Sequence, residues 1–190
     1  MSVRARTALA VTLIVFPALA FGQVRMRLEV DAREAPRRIL HARLNIAVTP
    51  GPLTLFYPKW LPGNHAPTGP IADLVGIRMS ADGQAVEWQR DSVDQYALRL
   101  VVPAGTSRLD VSLDFLSGLP DGKFASPASL TTELAMIRWS QLVLYPSTVR
   151  PDDLVVEASI RLPEGWQFAS ALTEINATSG NAGEPVHFAP

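Results

Sequence analysis

The strongest restriction on this chain is a period of two in its apolar residues, repeated in short runs that prolines and glycines cut off. Val24, Met26, Leu28 and Val30 alternate with polar residues, and Leu40, Ala42, Leu44, Ile46 and Val48 repeat the pattern. Such alternation puts every apolar side chain on one face of a strand and leaves the other face to water. Leu53, Leu55 and Tyr57 form a third run that stops at Pro58, and Leu74 to Ser80 a fourth. Asp82-Gly83 is a hairpin signal ahead of Val86 and Trp88. Tyr96, Leu98, Leu100 and Val102 alternate, Pro103 to Ser107 turns, and Leu109, Val111, Leu113 and Phe115 are expected to return as the second arm of another hairpin.

Further on, Ser117 to Ser129 reads as a Gly-, Pro- and Ser-rich loop. Leu134 to Tyr145 is apolar without clean alternation. Its Ile137, Trp139 and Val143-Leu144-Tyr145 are β-formers and Pro146 ends it, so a strand is expected there. Leu154, Val156, Ala158, Ile160 and Leu162 alternate once more, Pro163-Glu164-Gly165 turns into Trp166, and Thr173 to Glu184 reads as a loop or linker. Val186 and Phe188 flank His187 as if another strand began. About nine short strands at this spacing predict an all-β domain, either a β-sandwich or an open curved antiparallel sheet.

The first residues belong to a different pattern. Met1 to Thr7 holds two arginines and no acid, Ala8 to Phe21 is almost wholly apolar, and Ala18, Ala20 and Gly22 supply the small residues of a cleavage site. A basic head, a short apolar body and a small-residue exit make a secretory signal peptide over residues 1–22. The apolar run is shorter than the roughly 20 residues of a membrane span. A β-rich domain over 23–190 and an exported protein, periplasmic or secreted, are the expectation. Cysteine is absent, so neither disulfides nor thiolate metal sites contribute. Without Arg4 and Arg6 the chain has 15 basic and 18 acidic residues, a net −3. No basic stripe points to nucleic acid, and no stable membrane anchor is expected.

Catalytic motifs are missing. A zinc peptidase places two histidines one helical turn apart so that both reach the metal. Here His41, His65 and His187 stand far from one another. There is no G-x-S-x-G, P-loop or G-x-G-x-x-G pattern. No catalytic residue, no metal ligand set and no cofactor is therefore assigned to this chain. One stretch stands out: Tyr57-Pro58-Lys59-Trp60-Leu61-Pro62-Gly63-Asn64-His65-Ala66-Pro67-Thr68-Gly69-Pro70. Four prolines stiffen it, and Pro62-Gly63 suits a type II turn with glycine supplying the positive φ. Two roles stand open for Trp60 and His65. Either Trp60 caps the core while His65 packs in the loop, or both contact a substrate.

Trp60, Pro62 and Gly63 resemble the W-x-P-G-x-Y signature of the glycyl aminopeptidase family, family sixty-one of the metallopeptidases, with His65 where that family has Tyr. Val24 to Val30 looks like the opening strand of the family's N-terminal domain. Leu162-Pro163-Glu164-Gly165-Trp166 with Ala169 to Leu172 looks like its late L-P-x-G-W…T-A-L segment. The resemblance implies a non-catalytic β domain of an exported zinc aminopeptidase-like protein. Its partner would be its own catalytic domain, which binds zinc through H-E-x-x-H and a downstream Glu, and it would help shape access for a peptide substrate. Trp60, Pro62, Gly63 and His65 become candidates for substrate or domain-interface contacts. A stand-alone exported module binding protein or carbohydrate is the alternative, favoured by exposed aromatics aligned on one sheet face. A large exposed apolar patch near the C-terminus favours the domain reading.

Intact mass of exported material tests the signal peptide. The new N-terminus is expected at Gln23, or second best at Phe21; exported protein that keeps Met1 would refute cleavage.

Overall fold

The computed structural model describes residues 24–61, 63, 65–118, 129–175 and 184–190. The expected signal peptide over 1–22, Pro62, most of the 117–129 loop and most of the 173–184 linker lie outside the described residues. Eleven strands are seen among the described residues: β1 (Val24–Asp31), β2 (Ile39–Ala47), β3 (Gly51–Phe56), β4 (Leu74–Ala81), β5 (Gln84–Ala85), β6 (Trp88–Arg90), β7 (Ala97–Val102), β8 (Arg108–Leu116), β9 (Tyr145–Pro146), β10 (Leu154–Arg161) and β11 (Val186–Phe188). They form a seven-stranded sheet in the order β11-β10-β1-β2-β8-β4-β5 and a four-stranded sheet in the order β6-β7-β3-β9. Both are open. The all-β expectation holds, and the sheets are mostly antiparallel.

Alternation does the work that the sequence suggests. Met26, Leu28 and Val30 of β1 are buried, and they face Ile46, Leu44 and Ala42 of β2 across the register. Those in turn face Leu109, Val111 and Leu113 of β8. The intervening Arg27, Glu29, Arg43, Asp110 and Ser112 point away from the core on the opposite face. The small sheet contributes Leu55, Leu98, Leu100 and Val102 to the same apolar cluster, so the two sheets share one core. Each buried Leu or Val adds about 1.5–3 kcal/mol relative to exposure, which is why a cysteine-free chain can hold this fold.

Three expectations need correction. First, β1 and β10 pair parallel, from Val24↔Leu154 to Asp31↔Arg161, so the large sheet is mixed. A parallel pair needs a long connection, and here it spans most of the chain. Second, the runs at 96–102 and 109–115 are not a hairpin. β7 pairs with β3 and β6, whereas β8 pairs with β2 and β4. The turn at 103–107 carries the chain between sheets, and local alternation cannot distinguish the two cases. Third, Leu134 to Tyr145 is not a strand. Trp139–Gln141 forms a 3-10 turn, Ala135 makes a single bridge to Leu130, and the strand pairing with β3 is confined to Tyr145–Pro146. Leu142 and Leu144 instead plug the core. The Asp82-Gly83 hairpin does form: Ser80 faces Ala85, Ala81 faces Gln84, and both turn residues have positive φ, at 49° and 78°.

Gln141 carries an internal cost. It is 1% exposed, and neither amide atom of its side chain has a hydrogen-bond partner. Its backbone carbonyl, by contrast, accepts the Tyr57 hydroxyl at 3.0 Å. Gln141→Leu removes the two orphaned polar atoms and keeps the carbonyl. It should stabilise the fold by about 1 kcal/mol, read as a higher urea midpoint. A lower midpoint would mean that the amide is satisfied in solution.

Candidate functional site

The proline-rich loop after β3 is pinned at both ends. Tyr57 and Tyr96 stack with ring centroids 6.5 Å apart and planes within 6°. The Tyr57 N–H donates to the Tyr96 carbonyl at 2.8 Å. Burial pushes the Tyr57 phenol well above its ordinary range, with the Asp73 charge adding to the effect. The Tyr96 hydroxyl lies 2.9 Å from the Pro67 carbonyl and 3.2 Å from that of Gly69, so it donates into the far side of the loop. Gly69 N–H donates to the Lys59 carbonyl at 2.9 Å and closes the loop neck. A Cβ on Gly69 would stand 2.0 Å from the Pro58 carbonyl oxygen, so glycine is required by the close approach.

An ionic clamp sits beside the neck. Lys59 Nζ lies 2.8 Å from Asp94 Oδ2 and 5.9 Å from the centroid of the Tyr96 ring. The Lys59 hydrogen bond, then the Tyr96 N–H, hold the Asp94 carboxyl below the usual carboxylate range. The N–H groups of Asp94 and Val93 do the same for Asp91, which also pairs with Arg99. The Asp94 bond raises the Lys59 pKa. The clamp is therefore complete above the ordinary carboxylate range. It is lost as pH falls through the depressed Asp94 pKa, and lost at the alkaline end as pH rises past the raised lysine value.

The four sequence candidates are placed unequally. Trp60 is 62% exposed and does not cap the core; Tyr57 and Leu61 take that place. The reason is local: Tyr57 continues the inward face of β3, and two residues later the loop has left the sheet. Trp60 borders a shallow hollow of about 560 Å³ together with Lys59, Pro67 and Val93, the last 94% exposed. His65 is exposed on the same loop rather than packed within it. Gly63 has φ +85°, as a type II turn requires, while its partner Pro62 is outside the described residues.

A second feature was not legible in advance as a site. Leu134, Trp139, Trp166, Phe168, Leu172 and Phe188 wall an apolar groove of about 830 Å³. Phe188 is 2% exposed and anchors it, meeting Trp139 edge-on at 5.5 Å and Phe168 edge-on at 5.9 Å. The Ile175 N–H donates to the His187 carbonyl and the Ala189 N–H to that of Thr173, which ties the 173–175 segment to β11. The groove's apolar residues Leu134, Phe168 and Leu172 are exposed, as are Met136 and Ile175 close by in sequence. The L-P-x-G-W stretch turns at Gly165, φ +78°, and delivers Trp166 to the groove.

The profile of the peptidase M61 N-terminal domain matches residues 27–189. The chain belongs to that family. No curated protein sequence matches it. Among solved structures, the domain is similar to an aminopeptidase N family protein from Idiomarina loihiensis, with TM-score 0.68 and 13% identity over 85% of this chain and 26% of that one. It is also similar to an M1 zinc metallopeptidase from Deinococcus radiodurans, at TM-score 0.52 and 17% identity over 92% and 40%. A third is Legionella pneumophila aminopeptidase A in complex with aspartic acid, at TM-score 0.54 and 12% identity over 92% and 20%. At these identities the likeness is one of fold. The M61 domain spans between a fifth and two fifths of those chains.

No metal site is gathered: among the described residues no three His, Cys, Asp or Glu side chains come together to hold an ion. His41 Nδ1 lies 2.7 Å from Asp114 Oδ1 and its Nε2 3.7 Å from Glu34 Oε2, so both ring nitrogens face carboxylates.

Two glycine variants test the loop. Gly63 has open space around its Cβ position, so Gly63→Val is charged only for backbone strain, about 1–3 kcal/mol. Gly63→Asn should be milder. Gly69→Ala, which drives a methyl into backbone, should lower the melting midpoint more than Gly63→Ala. The reverse order would contradict the closed neck.

Proposed function

We propose that this chain is the non-catalytic β domain of an exported zinc aminopeptidase-like protein, packing against the catalytic domain through the Trp166–Phe168 groove. The apolar groove carries this reading. Phe168, Leu134 and Leu172 lie open to water around the half-buried Trp139 and Trp166, an unusual outlay for an isolated domain that suits a surface covered by another. Membership of the M61 N-terminal family supports the partner's identity, and zinc would belong to that partner. The stiff loop with exposed Trp60, Gly63 and His65 would border the way in for a peptide substrate. Proline and the Tyr96 clamp remove the entropy that a free loop would lose on contact. Export through a 1–22 signal peptide gives the domain a periplasmic or secreted setting.

The stand-alone binding module is less well supported. Sheet-face recognition of carbohydrate needs aligned aromatics, and among the described residues the outward face of the seven-stranded sheet carries none.

The coding sequence past Pro190 is the direct test. It should encode H-E-x-x-H on a helix with a Glu further on, the motif Glu acting as base toward a metal-bound water. In that longer protein, Phe168→Ser with Leu172→Ser should loosen domain contact and increase binding of an apolar dye. A stop codon directly after Pro190 would overturn the reading.

A further inference from the structure

On the outward face of the seven-stranded sheet, most charges have partners. Arg25 and Arg27 reach Glu157 at 3.3 and 3.7 Å, and His41 and Asn45 occupy Asp114 and Asp110 at 2.7 and 2.6 Å. Arg33 pairs with Asp31. Arg43, Arg78 and Arg108 differ: among the described residues none of them makes an ion pair or a side-chain hydrogen bond. Glu29 stands opposite Arg43 in the register but forms no ion pair with it. Across β2, β8 and β4 the register places Arg43 beside Ser112 and Ser112 beside Arg78. Arg108 lies on the same face of β8, four residues before Ser112.

The sheet edge bends around this group. A bulge interrupts β4 between Val75 and Arg78, where Gly76 has φ +63°. A Cβ there would meet the Asp114 carboxylate at 2.9 Å. The β4–β5 hairpin lines the far wall, and the result is a hollow of about 570 Å³. Its charged lining is Arg27, Arg43, Arg78 and Arg108 against Glu29 and Asp110, a net +2 in a chain whose net charge is −1. Leaving three guanidiniums unpaired around one hollow is repulsive unless an anion comes to it.

We propose that this hollow binds a phosphate group through Arg43, Arg78 and Arg108. Guanidinium forks match phosphate oxygens two at a time, and three of them supply more donors than a carboxylate accepts. With Arg27 met by Glu157, the three unpaired guanidiniums still outnumber Glu29 and Asp110 in the lining, and the hydroxyls of Ser80 and Ser112 add donors. The hollow is on the outward face of the sheet, whereas the apolar groove is walled by inward residues such as Ile160 and Phe188, so the two surfaces act separately.

Calorimetric titration of the full chain with inorganic phosphate at low salt tests this, beside flotation with vesicles of phosphatidic acid or of phosphatidylcholine alone. Free phosphate should bind saturably, and about tenfold more weakly to Arg43→Ala and Arg78→Ala, with partial recovery in Arg43→Lys. All three side chains are exposed, so melting midpoints should stay unchanged. Binding only to phosphatidic acid vesicles, lost in the same variants, would support the site and make a lipid head group its source. No saturable binding of either probe, or equal binding by wild type and both alanine variants, would overturn the proposal.

Discussion

The parallel pairing of β1 with β10 holds the rest in place. It joins the first described strand to one about 130 residues later and brings the whole C-terminal segment onto the large sheet. Closing so long a loop costs entropy that only grows logarithmically with length, and the apolar side chains it buries, Ala158 and Ile160 among them, offset it. β11 pairs with β10 alone within the sheet, so Phe188 and the aromatic groove around it exist only once this contact is made. Long-range pairing of this kind also sets a slow folding regime, because local contacts cannot substitute for it.

The second organising element is the Tyr57–Tyr96–Gln141 junction. Tyr57 follows β3, Tyr96 precedes β7, and the 3-10 turn at Trp139–Gln141 accepts the Tyr57 hydroxyl through the Gln141 carbonyl. From this buried point the proline-rich loop projects outward, clamped by the Tyr96 hydroxyl and by Lys59 with Asp94. The junction explains two observations together. Leu134 to Tyr145 runs as a plug rather than a strand, burying Leu142 and Leu144 and presenting the Gln141 carbonyl to the Tyr57 hydroxyl. Gln141 buries its amide without partners because its backbone, not its side chain, is what the junction uses.

The two candidate surfaces of the domain divide by chemistry. The groove offers mostly apolar area, with Glu133 its one charged lining residue, which suits a permanent neighbour. The loop offers an exposed Trp60 beside an ionic base of Lys59 and Asp94, which suits contact that is made and released. The arginine-lined hollow on the outward face is a third surface of opposite character, where Arg43, Arg78 and Arg108 make no ion pair among the described residues.

Strand existence was written in the sequence, because a period of two decides which face of a strand meets the core. Val24 to Val30, Leu40 to Val48 and Leu154 to Leu162 could bury their apolar sets in no other way. The Asp82-Gly83 turn was equally local, since two positive φ values select those residues. The W-x-P-G pattern and the L-P-x-G-W stretch carried the family. Partnership was not written there. The inward faces of β7 and β8 have the same alternation, so nothing local says that they belong to different sheets, or that β10 lies parallel to β1. Trp60 could equally have capped the core, and only the exit direction of the chain after Tyr57 turned it to solvent. Trp139, Trp166, Phe168 and Phe188 are apolar residues like any others until the tertiary fold gathers them at one open edge. Side-chain period is a property of neighbours in sequence, whereas pairing and exposure depend on residues more than a hundred positions apart, and those only the folded chain brings together.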